Sequence, residues 1–211
     1  MRNGTAAEIE LDWFWIRHGA TKANREHRYL GKTEEPLSIE GREQLEGLRD
    51  KDIFPEEPDV LLTSPMKRCI ESAGILFPQE SPYFISEWRE MDFGRFEGKN
   101  YEDLKEDSYY QAWIDSNGTL PFPEGESQSG FVKRCMAGYE RATQLLLSEA
   151  VKEKKKRICV ASVVHGGTIM AVLSMISGGS YFDYQVKNGG GYRCKILLSR
   201  EQTKINAITA L

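Results

Sequence analysis

The sequence predicts an α/β protein built on a mostly parallel central sheet. Three observations carry that reading. Short apolar runs at residues 13–16, 59–63 and 157–164 alternate with longer amphipathic stretches, the pattern of βαβ units. The run R-I-C-V-A-S-V-V at 157–164 is nearly continuous in apolar residues, as expected of a central strand covered on both faces. The chain closes with two β-rich runs, 190–198 and 204–211, separated by S-R-E-Q-T. That spacing predicts a terminal hairpin, so at least one strand is antiparallel. A length of 211 residues suits one large domain.

The organising stretch is D-W-F-W-I-R-H-G-A-T-K-A-N at 12–24. Trp13, Phe14, Trp15 and Ile16 suit a buried strand. That strand ends abruptly at Arg17, His18 and Gly19, an odd choice if packing were its only purpose. Ligands bind outside the carboxyl ends of strands in open α/β sheets. Gly19 lets the backbone turn sharply toward a ligand. His18 is then a candidate nucleophile, and Arg17 a bidentate clamp for phosphate or carboxylate.

The next segment, to residue 38, is polar and broken by Gly31 and Pro36; loops of such length are usually functional. Ser38 is the predicted N-cap of a helix to about residue 50, with Leu45 and Leu48 inward. After the strand at 59–63, Ser64 and Pro65 have the N-cap and N1 pattern of a helix. Arg68 falls in its first turn, on the sheet edge that carries His18. Tyr83, Phe84 and Ile85 form a further strand. Beyond it, Glu87, Glu90, Asp92 and Glu97 are interleaved with Trp88, Met91, Phe93 and Phe96. A carboxyl held among aromatics has a raised pKa, which suits a general acid near neutral pH.

Residues 100–117 are expected to be helical, followed by the break T-L-P-F-P-E-G-E-S and a long helix at about 127–153. The segment at about 98–128 is read as a cap inserted between sheet elements. The basic run at 152–157 suits a helix C-terminus. The strand at 157–164 ends at His165-Gly166-Gly167, before a helix to about residue 176 whose N-terminus favours anions. Two of the three histidines therefore occupy strand–His–Gly corners, and the third, His27, is expected at the surface.

A formal charge of −4 argues against a general nucleic-acid surface. No apolar run is long enough to span a bilayer, and the N-terminus lacks the apolar core of a signal peptide. These features predict a soluble, cytoplasmic protein. The four cysteines (Cys69, Cys135, Cys159 and Cys194) are scattered, which predicts reduced structural thiols and no zinc site.

The ordered pieces R-H-G-A-T-K-A-N, Y-L-G-K-T-E-E-P-L-S, S-P-M-K-R-C-I-E-S-A, W-R-E-M-D-F-G-R-F-E-G, P-E-G-E-S and V-V-H-G-G resemble the histidine phosphatase (phosphoglycerate mutase-like) superfamily. The pattern around Tyr29, Gly31, Thr33, Pro36 and Leu37 is similar to its α-ribazole phosphatase and broad-specificity branch. The resemblance implies a three-layer α/β/α sandwich with a helical cap and one domain over 1–211. It implies that His18 becomes phosphohistidine. Arg17, Arg68 and His165 would hold the phosphoryl oxygens, with Asn24 and Gly166 adding contacts to substrate. Glu90 would protonate the leaving oxygen. No metal or cofactor is implied, and the substrate would be a small phosphorylated metabolite. Ala20 stands where an acid is often found and Ala23 where an aromatic is common; neither change removes a catalytic group.

Hydrolysis is preferred to mutase chemistry, because residues 95–128 carry eight acids (97, 102, 103, 106, 107, 115, 124, 126) and three bases (95, 99, 105). An acidic cap should repel a second phosphate. A phosphate-binding scaffold without turnover is the competing reading. The physiological substrate and the oligomeric state, a homodimer included, stay open.

Overall fold

A computed structural model describes residues 8–200 and 202–211. Residues 1–7, which hold most of the N-terminal stretch from which no signal peptide is expected, and residue 201 in the terminal hairpin lie outside it. The strands are β1 (Ile9–Arg17), β2 (Val60–Thr63), β3 (Tyr83–Phe84), β4 (Arg157–Val164), β5 (Gly191–Leu198) and β6 (Thr203–Ala210). The helices are α1 (Lys22–Arg25), α2 (Ile39–Arg49), α3 (Lys67–Leu76), α4 (Tyr101–Leu104), α5 (Ser108–Asp115), α6 (Gln128–Glu153) and α7 (Gly166–Ser177).

The sheet order is β3-β2-β4-β1-β5-β6. The pairs β3–β2, β2–β4 and β4–β1 are parallel, whereas β1–β5 and β5–β6 are antiparallel. The mixed sheet and its terminal hairpin match the sequence reading. Side chains alternate along β1, as strand geometry requires. Trp13 and Trp15 enter a core with Phe131, Tyr139, Ile169 and Val172 from α6 and α7. Phe14 and Ile16 enter a second core with Leu45, Cys69, Ala73 and Leu76 from α2 and α3. The helices therefore sandwich the sheet. The indole of Trp13 donates to Ser162 Oγ at 2.7 Å, which satisfies a buried polar pair between the two central strands.

Ser38 caps α2 by accepting from Gly41 N, and Ser127 caps α6 by accepting from Gly130 N. Two local expectations need correction. The helix expected from Ser64 and Pro65 begins only at Lys67, with Met66 at the N-cap position and no side-chain cap bond. The helix expected over 100–117 is split. Asp107 accepts from Tyr109 N and Tyr110 N, so it starts α5 afresh after α4 ends, as a side chain that competes for backbone N–H groups will do.

The placement of the site follows from the sheet. β1 and β4 are parallel neighbours, in register as Arg17↔Val164. The chain leaving β1 packs on the α2 and α3 face, and the chain leaving β4 packs on the α7 face. Adjacent strands whose continuations part to opposite faces open a crevice at their carboxyl ends.

Candidate active site

His18 and His165 are the residues that follow β1 and β4, so the register brings them side by side. Their ring centroids are 5.2 Å apart at an interplanar angle of 67°, close to the strand spacing of about 4.8 Å. Both are buried. His18 N donates to Val164 O at 2.9 Å, which ties the two corners together. Gly19 N donates to Ser72 Oγ on α3 at 3.0 Å, fixing the turn from the other side.

His18 Nδ1 lies 2.7 Å from Gly19 O. A carbonyl only accepts, so this contact places the ring proton on Nδ1 and leaves the lone pair on Nε2. Burial pushes the His18 pKa well below its ordinary value, and the positive charges of Arg68 and Arg17 push it further the same way. Desolvation is the larger of these causes. His165 is lowered likewise, by burial first, then by Arg68 and His18. Both rings are therefore neutral near pH 7.

Arg68 is fully buried. Its terminal nitrogens donate to Thr33 O at 3.0 Å and Gly31 O at 2.8 Å, so the long polar loop exists in part to hold this guanidinium. Arg17 is half-buried and donates from Nη1 to Val186 O at 2.7 Å. The Nε groups of both arginines are buried and meet no acceptor among the described residues. Two such donors beside neutral imidazoles suit a tetrahedral anion.

Glu90 stands across from them. Its Oε1 accepts from Met91 N at 2.9 Å. Burial raises its pKa, against the opposing pull of Met91 N, Arg68 and Arg17. The expected elevation is therefore present and is a desolvation effect. Gly167 has to be glycine here, because a Cβ would meet Glu90 Oε1 at 2.4 Å. Gly166 packs on Arg17, where a Cβ would lie 3.4 Å from Nε.

Asn24 sits in the short helix α1, where its Oδ1 accepts from Thr21 N at 3.2 Å. It lines a polar groove that also reaches Arg17, and His27 is exposed in the same groove. Arg17, His18, Arg68, Glu90, His165 and Gly166 converge, and Asn24 stands at the edge. Sequence reasoning missed three residues. Ser64 Oγ lies 2.8 Å from His165 Nε2. Ser72 holds the Gly19 corner. Asn188 Nδ2 donates to His18 O at 3.1 Å and to Asn24 Oδ1 at 3.1 Å. Only Ser64 carried a signal, being the first residue after a strand, and its neighbour Pro65 pointed to a cap instead.

A cavity of about 320 Å³ opens from Arg17 and Glu90 and is walled by aromatic side chains. None of the eight acids at 95–128 lines it. Four of them pair elsewhere: Asp103 with Arg28, Glu102 with Lys105, Asp107 with Arg95 and Glu126 with Arg134. Glu97 accepts from Gly31 N, Lys32 N, Thr33 Oγ1 and Phe93 N. Five of the eight acids are thus engaged in structural contacts, and none reaches the cavity lining from which a second phosphate would be repelled directly. Among the described residues, no group of three or more His, Cys, Asp or Glu is placed to hold a metal ion, and no helix is long and apolar enough to cross a membrane.

Two adjacent strand–His–Gly corners with one buried and one half-buried guanidinium group, on a mixed α/β sandwich, are the kind of arrangement that handles a phosphoryl group. The model for the histidine phosphatase superfamily (branch 1) matches residues 13–203. The chain belongs to that superfamily and is an enzyme of the phosphatase class. An uncharacterized phosphatase, PhoE, of Bacillus subtilis is 30% identical over 171 residues, covering 78% of this chain and 76% of the relative. The adenosylcobalamin/alpha-ribazole phosphatase of Escherichia coli is 32% identical over 124 residues, covering 56% of this chain and 60% of the relative. A 2,3-bisphosphoglycerate-dependent phosphoglycerate mutase of Bifidobacterium longum is 25% identical over 194 residues, covering 76% and 75%. The alpha-ribazole phosphatase structure from Shigella flexneri shares the fold, with a TM-score of 0.73 at 24% identity over 95% of this chain and 96% of that one.

Proposed function

We propose that the protein is a metal-independent phosphomonoester hydrolase that passes the phosphoryl group of a small metabolite through His18. The observation that carries this is the pair of neutral rings 5.2 Å apart beside the unpartnered Nε groups of Arg17 and Arg68. Phosphoryl transfer asks mainly for positioning and for charge stabilisation at the equatorial oxygens. Arg17, Arg68 and His165 supply both, with Gly166 and Asn24 at the margins of the anion.

In the first step, the Nε2 lone pair of His18 attacks phosphorus and the P–O bond to the alcohol breaks. Glu90 gives its proton to the departing oxygen. In the second step, water attacks phosphohistidine and gives a proton to the Glu90 carboxylate. The P–N bond breaks, and inorganic phosphate leaves. One difficult displacement becomes two easier ones, and the raised pKa of Glu90 suits its alternating duty.

Hydrolysis is supported over mutase chemistry by the cavity lining, whose only Lys or Arg side chain among the described residues is Arg17. A mutase must hold a second anion, and among the described residues no further Lys or Arg lines this cavity to do so. The E. coli relative named for alpha-ribazole makes α-ribazole 5′-phosphate the first metabolite to assay. The test is phosphate release by wild type and His18→Ala, in EDTA, with and without a bisphosphate primer. The reading expects primer-independent release that survives chelation and disappears in the variant. Equal release by the two proteins, or strict dependence on the primer, would overturn it.

A further inference from the structure

The cavity beside Arg17 and Glu90 has a chemistry that the phosphoryl site alone does not explain. Its wall is formed by Tyr29, Phe93, Trp113, Phe122, Tyr181 and Phe182. These come from five separate stretches of chain, so no single helix face put them there. Several are locked against one another. Trp113 and Phe122 have centroids 5.0 Å apart at 34°, Phe93 and Phe122 are 5.0 Å apart at 85°, and Tyr29 and Phe93 are 5.1 Å apart at 62°. Offset and edge-to-face contacts of this kind hold rings in fixed positions. The wall is therefore preformed, and it presents flat apolar faces.

Charge is scarce in the cavity. Among the described residues, Arg17 and Glu90 are its only side chains of the Lys, Arg, Asp or Glu type, and both belong to the reacting end. An alcohol with a carboxylate or a second phosphate would lose hydration there and gain no partner. The polar groove on the other side of Arg17 is wider, at about 800 Å³. Its Arg28 is already engaged by Glu26, Asp103 and Gly98 O, and its Lys187 lines that groove and not the aromatic cavity. Aromatic walls also attract quaternary ammonium groups. Glu90, however, must hold a proton to act as the acid, so this wall offers a cation no compensating charge.

Taking the phosphatase reading as its basis, we propose that the alcohol half of the substrate is a flat, uncharged ring system seated against Trp113, Phe122 and Phe182. The cavity volume of about 320 Å³ lies at the small end of ligand pockets, which admits roughly one or two fused rings. Trp113, Phe122 and Phe182 are specificity-determining residues in this assignment, remote from the bond that breaks.

The experiment compares 2-(2-naphthyl)ethyl phosphate, n-butyl phosphate, 3-phosphoglycerate and phosphocholine. All release alkoxides, so ring recognition is separated from the aid of a good leaving group. The expected kcat/KM for the naphthyl ester exceeds that for the butyl ester by about tenfold or more, with 3-phosphoglycerate the poorest. Phe182→Ala and Trp113→Ala should each lower the naphthyl value by about tenfold and the butyl value by distinctly less, so that the naphthyl-to-butyl ratio collapses. Phe182 is 52% exposed, so its truncation does not threaten the fold. Equal values for the naphthyl and butyl esters, or a preference for 3-phosphoglycerate or phosphocholine, overturn the assignment. Absence of all turnover would sink the hydrolase reading instead. In that event, calorimetric Kd values for the naphthylethyl and butyl phosphonates decide the ring assignment, and equal affinities would refute it.

Discussion

Ser64 Oγ stands 2.8 Å from His165 Nε2, with both side chains buried. Ser64 Oγ also accepts from Met66 N, and its own proton is available to the imidazole. Donated to Nε2, that proton would hold His165 as the Nδ1–H tautomer, able to donate to a phosphoryl oxygen. Ser64→Ala removes the constraint and leaves the ring free to choose the wrong tautomer. The expected outcome is a fall of about tenfold to a hundredfold in kcat, the cost of roughly one charge-assisted hydrogen bond. Steady-state kinetics check this, and near wild-type kcat would show that Ser64 only packs.

The contact between Gly167 and Glu90 supports a second prediction. A Cβ at 167 would meet Glu90 Oε1 at 2.4 Å and Phe131 at 3.1 Å. Gly167→Ala should therefore displace the proposed acid and leave the phosphate-holding groups in place. Activity on an alkyl phosphate is expected to fall by about 10²-fold, toward the 10²–10⁴ expected for Glu90→Gln. Activity on p-nitrophenyl phosphate should fall much less, since that leaving group departs without a proton. Equal losses on both substrates would point to general damage.

The pH dependence follows from the shifts. His18 must be neutral to attack, and its pKa is lowered well below 6.5, so the acid limb of kcat/KM lies below that value. Glu90 must be protonated to donate, and its pKa is raised above 4.5, so the alkaline limb lies above that value. The optimum for alkyl phosphates is then mildly acidic, and the alkaline limb should flatten for p-nitrophenyl phosphate. Stability has its own sign. Below about pH 6.5 the unfolded chain binds more protons on residues 18 and 165 than the folded one, so stability rises with pH there. Glu90 works in the opposite direction above 4.5, one carboxyl against two rings. The urea midpoint is expected to drop between about pH 7 and 5 in wild type, and to drop less in His165→Gln.

Much of this was readable from the chain and some was not, for identifiable reasons. A strand followed by His and Gly is an unusual local pattern, so both corners stood out. Their convergence depends on β4 pairing with β1, a long-range choice that local pattern does not encode. Ser64 was masked by Pro65, because Ser-Pro is a strong cap signal even where the helix begins at Lys67. The aromatic wall was invisible for a different reason. Tyr29, Phe93, Trp113 and Phe122 look like ordinary core residues until the fold places them around one cavity. Net charge was the poorest guide, since five of the eight acids counted at 95–128 are spent on caps, ion pairs and loop amides and none lines the cavity.

Glu97 connects that loop to the anion site. Its carboxylate accepts from Gly31 N at 3.1 Å, Lys32 N at 3.0 Å, Thr33 Oγ1 at 2.8 Å and Phe93 N at 3.1 Å. The carbonyls of Gly31 and Thr33 in turn hold both terminal nitrogens of Arg68. Gly31 has no room for a side chain, because a Cβ would meet Met91 O at 1.8 Å. Replacing Glu97 by alanine unties four donors at once and lets the loop relax away from Arg68. Charge-assisted bonds of this kind suggest a loss of about 1–3 kcal/mol in stability, or a fall of several degrees in Tm for a chain of this size. The functional consequence should exceed the structural one. Arg68 would lose its fixed direction, and affinity for inorganic phosphate as a product inhibitor is expected to weaken by about tenfold. Thermal melts and phosphate inhibition constants, read side by side, separate the two effects. A lowered Tm with unchanged phosphate inhibition would mean that the loop supports the fold without aiming the guanidinium.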